Sequence, residues 1–174
     1  MHLIISTSLN PNSRTRVLAE YALTQFQCKN ENAALIELIH YDLPFCDGNQ
    51  CYKNPTVQEL TQTIANAESL IIASPIYNYD LNAVAKNLLE LTGIGWTEKV
   101  VGFICHAGGM GGYMSVMPFV NSLMLDFRCK IIPRFVYTTG DAFDGRELKD
   151  EKIKSRIEEL VNSIIDWSSS MDDV

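Results

Sequence analysis

The chain has 174 residues, and 47% of them are hydrophobic, which is enough to bury a sizeable core. Its formal net charge of −7 excludes a nonspecific nucleic-acid binder, because such binding needs Lys and Arg to neutralise phosphates. The apolar runs are shorter than the roughly 18 residues of a membrane span, so we expect a soluble protein with no membrane partner. The opening "MHLIIS" lacks the basic segment of a signal peptide, which favours a cytoplasmic location.

The five cysteines form an odd, scattered set, which favours a reducing compartment over a disulfide framework. Only Cys46 and Cys51, in "CDGNQC", are close in sequence. Two thiols without further ligands are a weak metal signal. We therefore expect ordinary reduced cysteines and no metal site.

Five apolar runs of strand length alternate with five amphipathic stretches along the chain. The runs predict strands at 2–6, 34–39, 69–74, 100–106 and 130–137. The amphipathic stretches predict helices at 13–27, 56–67, 82–92, 113–127 and 150–168. Near-continuous hydrophobicity is what a parallel strand needs when helices cover both of its faces. We therefore predict an α/β fold, an open sandwich forming one domain over residues 1–174, with ligand sites at the carboxyl ends of the strands.

Local signals refine three helix ends. Ser13 and Asp150 are placed to cap the first and the last predicted helix. Pro118 is awkward inside the fourth, so it should either bend that helix or make it start about a turn later. The irregular stretches 40–55 and 138–149 are predicted to be loops at an edge of the site.

The first of three strand-end loops, residues 6–13 in "STSLNPNSRTR", has the composition of an anion site. Ser8, Ser13 and Thr15 offer hydroxyl donors, and Arg14 offers a guanidinium at the first turn of a helix whose dipole favours a negative charge. That combination suits a terminal phosphate. From this loop alone, a Ser13 that merely caps its helix and solvated arginines fit equally well.

The other two loops, 74–81 and 106–112, offer groups for a flat ligand. Pro75, Tyr77 and Asn78 directly follow a buried strand, although tyrosines near a helix start are often simply packed. "HAGGMGGY" puts four glycines within five positions, which lets the backbone approach a ring closely. A planar ring with a phosphate on a flexible arm would engage all three loops, and FMN has that shape.

With these residues in view, the chain resembles the NAD(P)H-dependent FMN reductases of the flavodoxin-like superfamily over nearly its whole length. The resemblance is carried by "STSLNPNSRTR", "PIYN", "AVAKNLLELTG", "AGGMGG" and "DAFDGRELKDE" in order. It implies a flavodoxin-like three-layer sandwich with a five-stranded parallel sheet, FMN as cofactor and NAD(P)H as co-substrate. The implied cofactor-binding residues are Ser6, Ser8, Ser13, Arg14, Thr15, Pro75, Ile76, Tyr77, Asn78, Gly108 and Gly109.

The same resemblance implies hydride transfer from a stacked nicotinamide to the flavin, followed by reduction of an acceptor in the same pocket. No general acid or base is obligatory, so we interpret His106 as a strand-end residue. Free flavin, quinones, azo dyes and nitro compounds are the acceptors that such enzymes use. Many members carry other residues where this chain has Asn10, Ile76 and Ala83, which leaves the acceptor open. An apolar residue at position 76 also occurs in the branch that supplies reduced flavin to sulfonate-degrading monooxygenases.

The resemblance further implies a homodimer or a dimer of dimers, formed through the apolar helix "NAVAKNLLELTGIGW". Its apolar residues are Val84, Leu88, Leu89, Leu91, Ile94 and Trp96. Two alternatives remain. A flavodoxin-type electron carrier would bind FMN without oxidising NAD(P)H, although Arg14 and Arg16 occupy what would be its acidic rim. An iron–sulfur flavoprotein would need more ligands than Cys46 and Cys51.

Overall fold

A mostly parallel sheet forms the centre of the computed structural model, which describes residues 1–169. Residues 170–174, part of the predicted domain, lie outside the described residues. The sheet order is β2-β1-β3-β5-β6, with β7 also paired to β5 and β4 antiparallel to β3. These strands are β1 (His2–Ser6), β2 (Ala33–Glu37), β3 (Ser69–Tyr77), β4 (Asp80–Leu81), β5 (Val100–His106), β6 (Lys130–Ile131) and β7 (Val136–Thr138). The predicted α/β fold with a parallel sheet is confirmed.

The strand register explains the continuous apolar runs. In β1, Leu3 and Ile5 pack into the core on one face of the sheet, while Ile4 packs into the core on the other. Ile4 lies beside Ile71 of β3, which continues the same layer. Because the chain leaves β1 for β2 on one side and returns to β3 on the other, the order reverses between β1 and β3. Open α/β sheets bind ligands at the carboxyl end of such a reversal.

Five helices cover the two faces of this sheet. They are α1 (Arg14–Cys28), α2 (Pro55–Asn66), α3 (Ala83–Thr92), α4 (Met117–Phe127) and α5 (Glu151–Ser169). The helices α1 and α5 pack on one face through residues such as Phe26 and Ile157, and α2, α3 and α4 pack on the other through residues such as Leu88 and Phe119. This gives the three-layer sandwich that we predicted. Within residues 1–169, no helix has the length and hydropathy to cross a membrane.

The predicted caps are confirmed, and the fourth helix starts late. The Ser13 hydroxyl accepts a hydrogen bond from the Thr15 amide at 3.2 Å, and Asp150 Oδ1 accepts one from the Lys152 amide at 2.8 Å. The predicted start at residue 113 is wrong, because Met110–Val116 forms 3-10 turns and α4 begins at Met117. Pro118 thereby falls in the first helical turn, where its missing N–H costs nothing.

Three boundaries differ from the sequence predictions. The fifth predicted strand is not continuous: Pro133 has no amide to donate, and Arg134 has a φ of +62°, so β6 and β7 pair with β5 separately. Strand β2 ends at Glu37, since residues 38–40 form a 3-10 turn. The predicted loop 138–149 contains a small antiparallel hairpin, β8 (Phe143–Asp144) and β9 (Glu147–Leu148).

Candidate functional site

A cleft of about 930 Å³ lies where the carboxyl ends of β1, β3 and β5 meet. It brings together residues from all three predicted loops, namely Ser8, Ser13, Arg14, Thr15, Pro75, Ile76, Tyr77, Asn78 and Gly108. Gly109 lines an adjoining recess of about 250 Å³, which shares Ile76, Asn78 and Gly108 with the cleft. Ser6 does not reach the cleft lining, because it is buried within β1 at 2% exposure. The structure therefore assembles every predicted binding residue except Ser6.

The loop between β1 and α1 is folded by its own polar side chains. The Asn12 amide donates to Asn10 Oδ1 at 2.9 Å, and the Asn10 amide donates to the Ser8 hydroxyl at 3.3 Å. These short-range bonds hold the loop compact, so that the amino end of α1 opens directly into the cleft. The free N–H groups of a helix start and its dipole both favour an anion at this point.

Arg14 lies at the rim of the cleft and links α1 to the β8–β9 hairpin. Its Nε and Nη2 donate to the Gly145 carbonyl at 3.3 and 3.2 Å, and its guanidinium carbon lies 5.4 Å from the centre of the Phe143 ring. Arg146 of the same hairpin donates to Asn12 Oδ1 and also lines the cleft. Two guanidinium groups are thus held beside the anion-binding end of α1.

A buried amide joins the first loop to the second. Asn82 is 5% exposed, and its Nδ2 donates to the Thr7 carbonyl at 2.7 Å. Its Oδ1 accepts from the Thr7 hydroxyl at 2.8 Å, from the Ser74 hydroxyl at 3.3 Å and from the Ala85 amide at 3.3 Å. One side chain therefore caps α3 and fixes the loops that follow β1 and β3 relative to each other.

The second loop is a tight hairpin. We predicted a loop from residue 74, but β3 continues through Tyr77, so Pro75 and Ile76 lie on extended backbone. The turn consists of Asn78 and Tyr79, with φ of +51° and +64°. Two consecutive left-handed residues define the type I′ turn that best fits the twist of a hairpin. A tyrosine is uncommon in this conformation, and such backbone is often found at functional sites.

A tyrosine from β7 supports the glycine-rich loop. The Tyr137 hydroxyl donates to the Gly109 carbonyl at 2.6 Å and accepts from the Gly112 amide at 3.2 Å. Burial raises the pKa of Tyr137, which keeps that hydroxyl protonated. A Cβ on Gly112 would lie 2.8 Å from the Tyr137 oxygen, so this position requires glycine. A Cβ on Gly108 would meet nothing within 4 Å, which leaves the loop backbone open toward the cleft.

His106 is the last residue of β5, as predicted, and it also lines the cleft. Its ring lies edge-on to Phe143 with centroids 5.6 Å apart, and its Nε2 is buried without a hydrogen-bond partner in the described part of the chain. Burial first, and the Arg14 charge second, lower the pKa of His106. The imidazole is therefore neutral at pH 7, with one ring nitrogen as a hydrogen-bond donor and the other as an acceptor.

Sequence reasoning missed several cleft residues. Beyond the predicted set, the lining comprises Asn10, Asn12, His106, Ala107, Gly145 and Arg146. A sequence signal existed for Gly145 and Arg146, because the stretch 138–149 was predicted to border the site. Asn10 and Asn12 lie in the predicted loop 6–13 and Ala107 in the predicted loop 106–112, but none of the three was named as a binding residue.

One cleft combines a helix start that favours an anion, a tight hairpin and the open loop backbone at Gly108, which we name the glycine wall. A family profile described as NADPH-dependent FMN reductase matches residues 2–144 of the chain. The chain belongs to this family. Membership confirms the predicted NAD(P)H-dependent oxidoreductase with FMN as its cofactor, and it favours an enzyme over an electron carrier. Open α/β sheets bind their ligands outside the carboxyl ends of the strands, which is where the cleft lies.

Characterised relatives are similar over most of their length. An NAD(P)H-dependent FAD/FMN reductase of Geobacillus thermodenitrificans is 26% identical over 163 residues, covering 90% of this chain and 88% of the relative. An NADPH azoreductase of a Bacillus species is 22% identical, with 94% and 87% covered. An NADPH:quinone oxidoreductase of Arabidopsis thaliana is 30% identical over a shorter match, covering 63% of this chain and 60% of the relative.

Solved structures confirm the flavodoxin-like fold. The flavoenzyme FerB, an NAD(P)H:acceptor oxidoreductase of Paracoccus denitrificans, superposes with a TM-score of 0.80, with 18% identity and 97% of both chains covered. A flavodoxin from Archaea superposes with a TM-score of 0.69, with 12% identity, 97% of this chain and 99% of that chain covered. At these identities the likeness shows the fold alone.

Proposed function

We propose that the cleft holds FMN with its phosphate at the start of α1 and its ring between the Asn78–Tyr79 hairpin and Gly108. The observation that carries this assignment is the meeting of hydroxyls, helix N–H groups and Arg14 with the glycine wall in one cavity of about 930 Å³. The donor set fits a phosphate, since charged and neutral N–H and O–H groups converge there. The open backbone at Gly108 fits a flat ring.

Each part of the chain has a distinct task in this assignment. The α1 start and the hydroxyls of Ser8 and Ser13 bind and orient the phosphate. The Asn82 bonds keep the phosphate end and the ring end at a fixed separation, and Tyr137 holds the glycine loop in place. When bound, FMN supplies a ring that accepts a hydride and returns two electrons to an acceptor. The protein's contribution is orientation and exclusion of water, which requires no charged His106.

We infer that the acceptor is a small molecule of the free flavin, quinone or azo/nitro class. The cleft stays open above the glycine wall, and the nearby Tyr77 and Tyr79 are 55% and 75% exposed. An open cleft admits a nicotinamide and an acceptor in turn. Relatives named as an azoreductase and a quinone oxidoreductase support the same classes.

The decisive experiment is anaerobic reduction of the yellow FMN complex. Excess NADH or NADPH should bleach the flavin absorbance within seconds, because an open ring face lets the nicotinamide approach within the ~3 to 3.5 Å that reacting atoms need. Adding a quinone should restore the colour. Double-reciprocal plots of initial rate against nucleotide concentration, at several fixed quinone concentrations, should be parallel, because the two substrates bind in turn to one pocket. If dithionite bleaches the complex but neither nucleotide does, the reductase assignment fails and an electron carrier explains the protein better.

We also infer a homodimer or a dimer of dimers, but through a different surface from the one we predicted. In the predicted helix, Leu88, Leu89, Leu91 and Trp96 are at most 3% exposed and pack in the core. Val84 is partly buried against that core, and Ile94, at 81% exposure, remains on the surface but forms only a small part of the predicted apolar face. Exposed apolar residues near the recess that adjoins the cleft include Tyr79, which lines the recess, and Met110, Met114 and Met117 of the segment that follows Gly109, at 75%, 68%, 60% and 40% exposure. We name this set the methionine rim. Its burial would complete the wall of the cleft.

The methionine rim can be tested by sedimentation. We expect the wild-type chain to sediment as a dimer or tetramer at micromolar concentration, and Met110→Glu combined with Met114→Glu to sediment as a monomer, because two carboxylates would be buried unpaired. Leu125→Glu is the matched control, since Leu125 is 74% exposed on α4 outside the rim. A wild-type monomer, or a Leu125→Glu monomer with an intact double variant, would contradict the rim as the interface.

We further infer that residues 1–174 form one FMN-binding domain located in the cytoplasm. The one main sheet shared by the described residues supports a single domain. All five cysteines are free thiols, which suits a reducing compartment.

A further inference from the structure

The loop between β2 and α2 holds two thiols in contact, far from any role assigned above. Cys46 Sγ lies 3.9 Å from Cys51 Sγ. Cys51 is 4% exposed and packs with Val57 and Leu91, whereas Cys46 is half-buried and borders solvent. Residues 1–169 contain no group of three or more metal-ligating side chains that could hold an ion.

A tight turn brings the two sulfurs together. Asp47 Oδ1 accepts hydrogen bonds from the Asn49 amide at 2.8 Å and from the Cys51 amide at 3.0 Å. Gly48 adopts a left-handed φ of +68° within this turn, and a side chain there would meet nothing within 4 Å. The turn has open space on its outer side. A local shift of the turn can therefore shorten the distance between the two sulfurs to the about 2.05 Å of a disulfide bond.

Cys46 is better placed than Cys51 to react first. Its partial exposure gives a small oxidant access, and its sulfur lies 3.6 Å from the Tyr52 hydroxyl, a group that can donate to a thiolate. Burial is the main factor that raises the pKa of Cys51, so this sulfur ionises less readily than an ordinary cysteine. The two cysteines thus have the unequal environments of an attacking and a resolving thiol.

We propose that Cys46 and Cys51 form a redox-active dithiol that hydrogen peroxide converts to an intramolecular disulfide. First the Cys46 thiolate attacks a peroxide oxygen, the O–O bond breaks, and the departing hydroxide takes up a proton and leaves as water. Cys46 is then a sulfenic acid. The Cys51 sulfur next attacks the Cys46 sulfur, the S–O bond breaks, and a second water leaves with the Cys51 proton. Two thiols lose two electrons in total, and one peroxide gains them.

The other thiols do not share this arrangement. Cys105 is fully buried, and burial raises its pKa to about 12, while burial raises the pKa of Cys129 to about 11. Cys28 is exposed, but no second cysteine contacts it among the described residues. Flavin enzymes that pass two electrons to dioxygen release peroxide, so an enzyme with the proposed function can generate this oxidant itself. The oxidation itself needs neither FMN nor NAD(P)H.

Peptide mapping of the full chain tests the proposal directly. The reduced, folded protein is treated with one equivalent of hydrogen peroxide, then unfolded in guanidinium chloride, alkylated with N-ethylmaleimide so that the buried thiols also react, and digested with trypsin. We expect the number of alkylated thiols to fall from five to three, because the disulfide uses two. The tryptic peptide 30–53 should lack both alkyl groups and weigh about 2 Da less than its reduced form. The peptide carrying Cys28 should remain alkylated.

Substitutions separate the attacking thiol from the resolving one. Cys51→Ala should trap the sulfenic acid on Cys46, detected as a dimedone adduct, while Cys46→Ser should leave Cys51 unoxidised at the same dose. Cys28→Ser is the control and should form the disulfide like the wild type. Thermal unfolding checks that each variant, Cys51→Ala above all, retains its fold. The peptide map of the wild-type protein tests the proposal without any substitution. Cys28 oxidised before Cys46, a disulfide between two chains, or Cys46 oxidised to a sulfinic acid with Cys51 still alkylated would each overturn the proposal.

Discussion

Replacing Asn82 by alanine is expected to lower the free energy of unfolding by about 3 kcal/mol, a large loss for one side chain. The substitution removes the α3 cap, which is worth about 1 kcal/mol. It also leaves the buried Thr7 carbonyl without its donor at 2.7 Å and the Thr7 hydroxyl without its nearest acceptor at 2.8 Å. A buried polar group without a partner costs about 1 to 3 kcal/mol. Urea unfolding followed by circular dichroism measures the loss.

Asn54→Ala is the matched control for this experiment. Asn54 also caps a helix, because its Oδ1 accepts from the Thr56 amide at 2.9 Å and from the Val57 amide at 3.3 Å. It has no buried network beyond those bonds, so its loss should be about 1 kcal/mol. Equal losses for Asn82→Ala and Asn54→Ala would show that the link between the loops contributes nothing.

The sequence predicted the fold because the strands are buried on both faces. In such strands most residues are apolar, as Leu3, Ile4 and Ile5 show by packing alternately into the two layers. What escaped prediction depends on backbone detail. The left-handed turn at Asn78 and Tyr79 uses a tyrosine where glycine is usual, so the loop it closes looked longer than it is. The break at Pro133 was visible only as a proline in an otherwise apolar run.

The candidate site was predictable where its chemistry is local and not where it depends on distant contacts. Ser13 and Arg14 are adjacent to a helix start, and their placement follows from that start alone. Arg14 also donates to the Gly145 carbonyl, and the two residues are 131 positions apart in sequence. No local sequence pattern predicts a contact at that separation. Asn82 could have been read as a helix cap. Its bonds to Thr7 become visible only when β1 and β3 are known to be neighbours.

Arg14→Ala should weaken FMN binding by about tenfold to a hundredfold, because a charge-assisted hydrogen bond contributes roughly 1.5 to 3 kcal/mol. Riboflavin lacks the phosphate, so its affinity should hardly change. Fluorescence quenching titrations with both ligands measure the two effects. Arg16→Ala is the matched control, since it removes the same charge from the same helix. Arg16 contacts Glu20 at 3.0 Å and Glu37 at 2.8 Å, and it does not line the cleft.

The riboflavin titration also distinguishes the two roles that the structure gives to Arg14. The guanidinium holds the Gly145 carbonyl through two donors, so truncation also frees the β8–β9 hairpin. Arg14→Lys keeps the charge for the phosphate but cannot reproduce that two-donor contact. If the phosphate contact dominates, Arg14→Lys retains most of the FMN affinity, and only FMN responds to Arg14→Ala. If FMN and riboflavin weaken equally in Arg14→Ala, the residue acts by holding the hairpin. An unchanged FMN affinity would remove Arg14 from the binding site, and the phosphate would then depend on the hydroxyls and the α1 N–H groups alone.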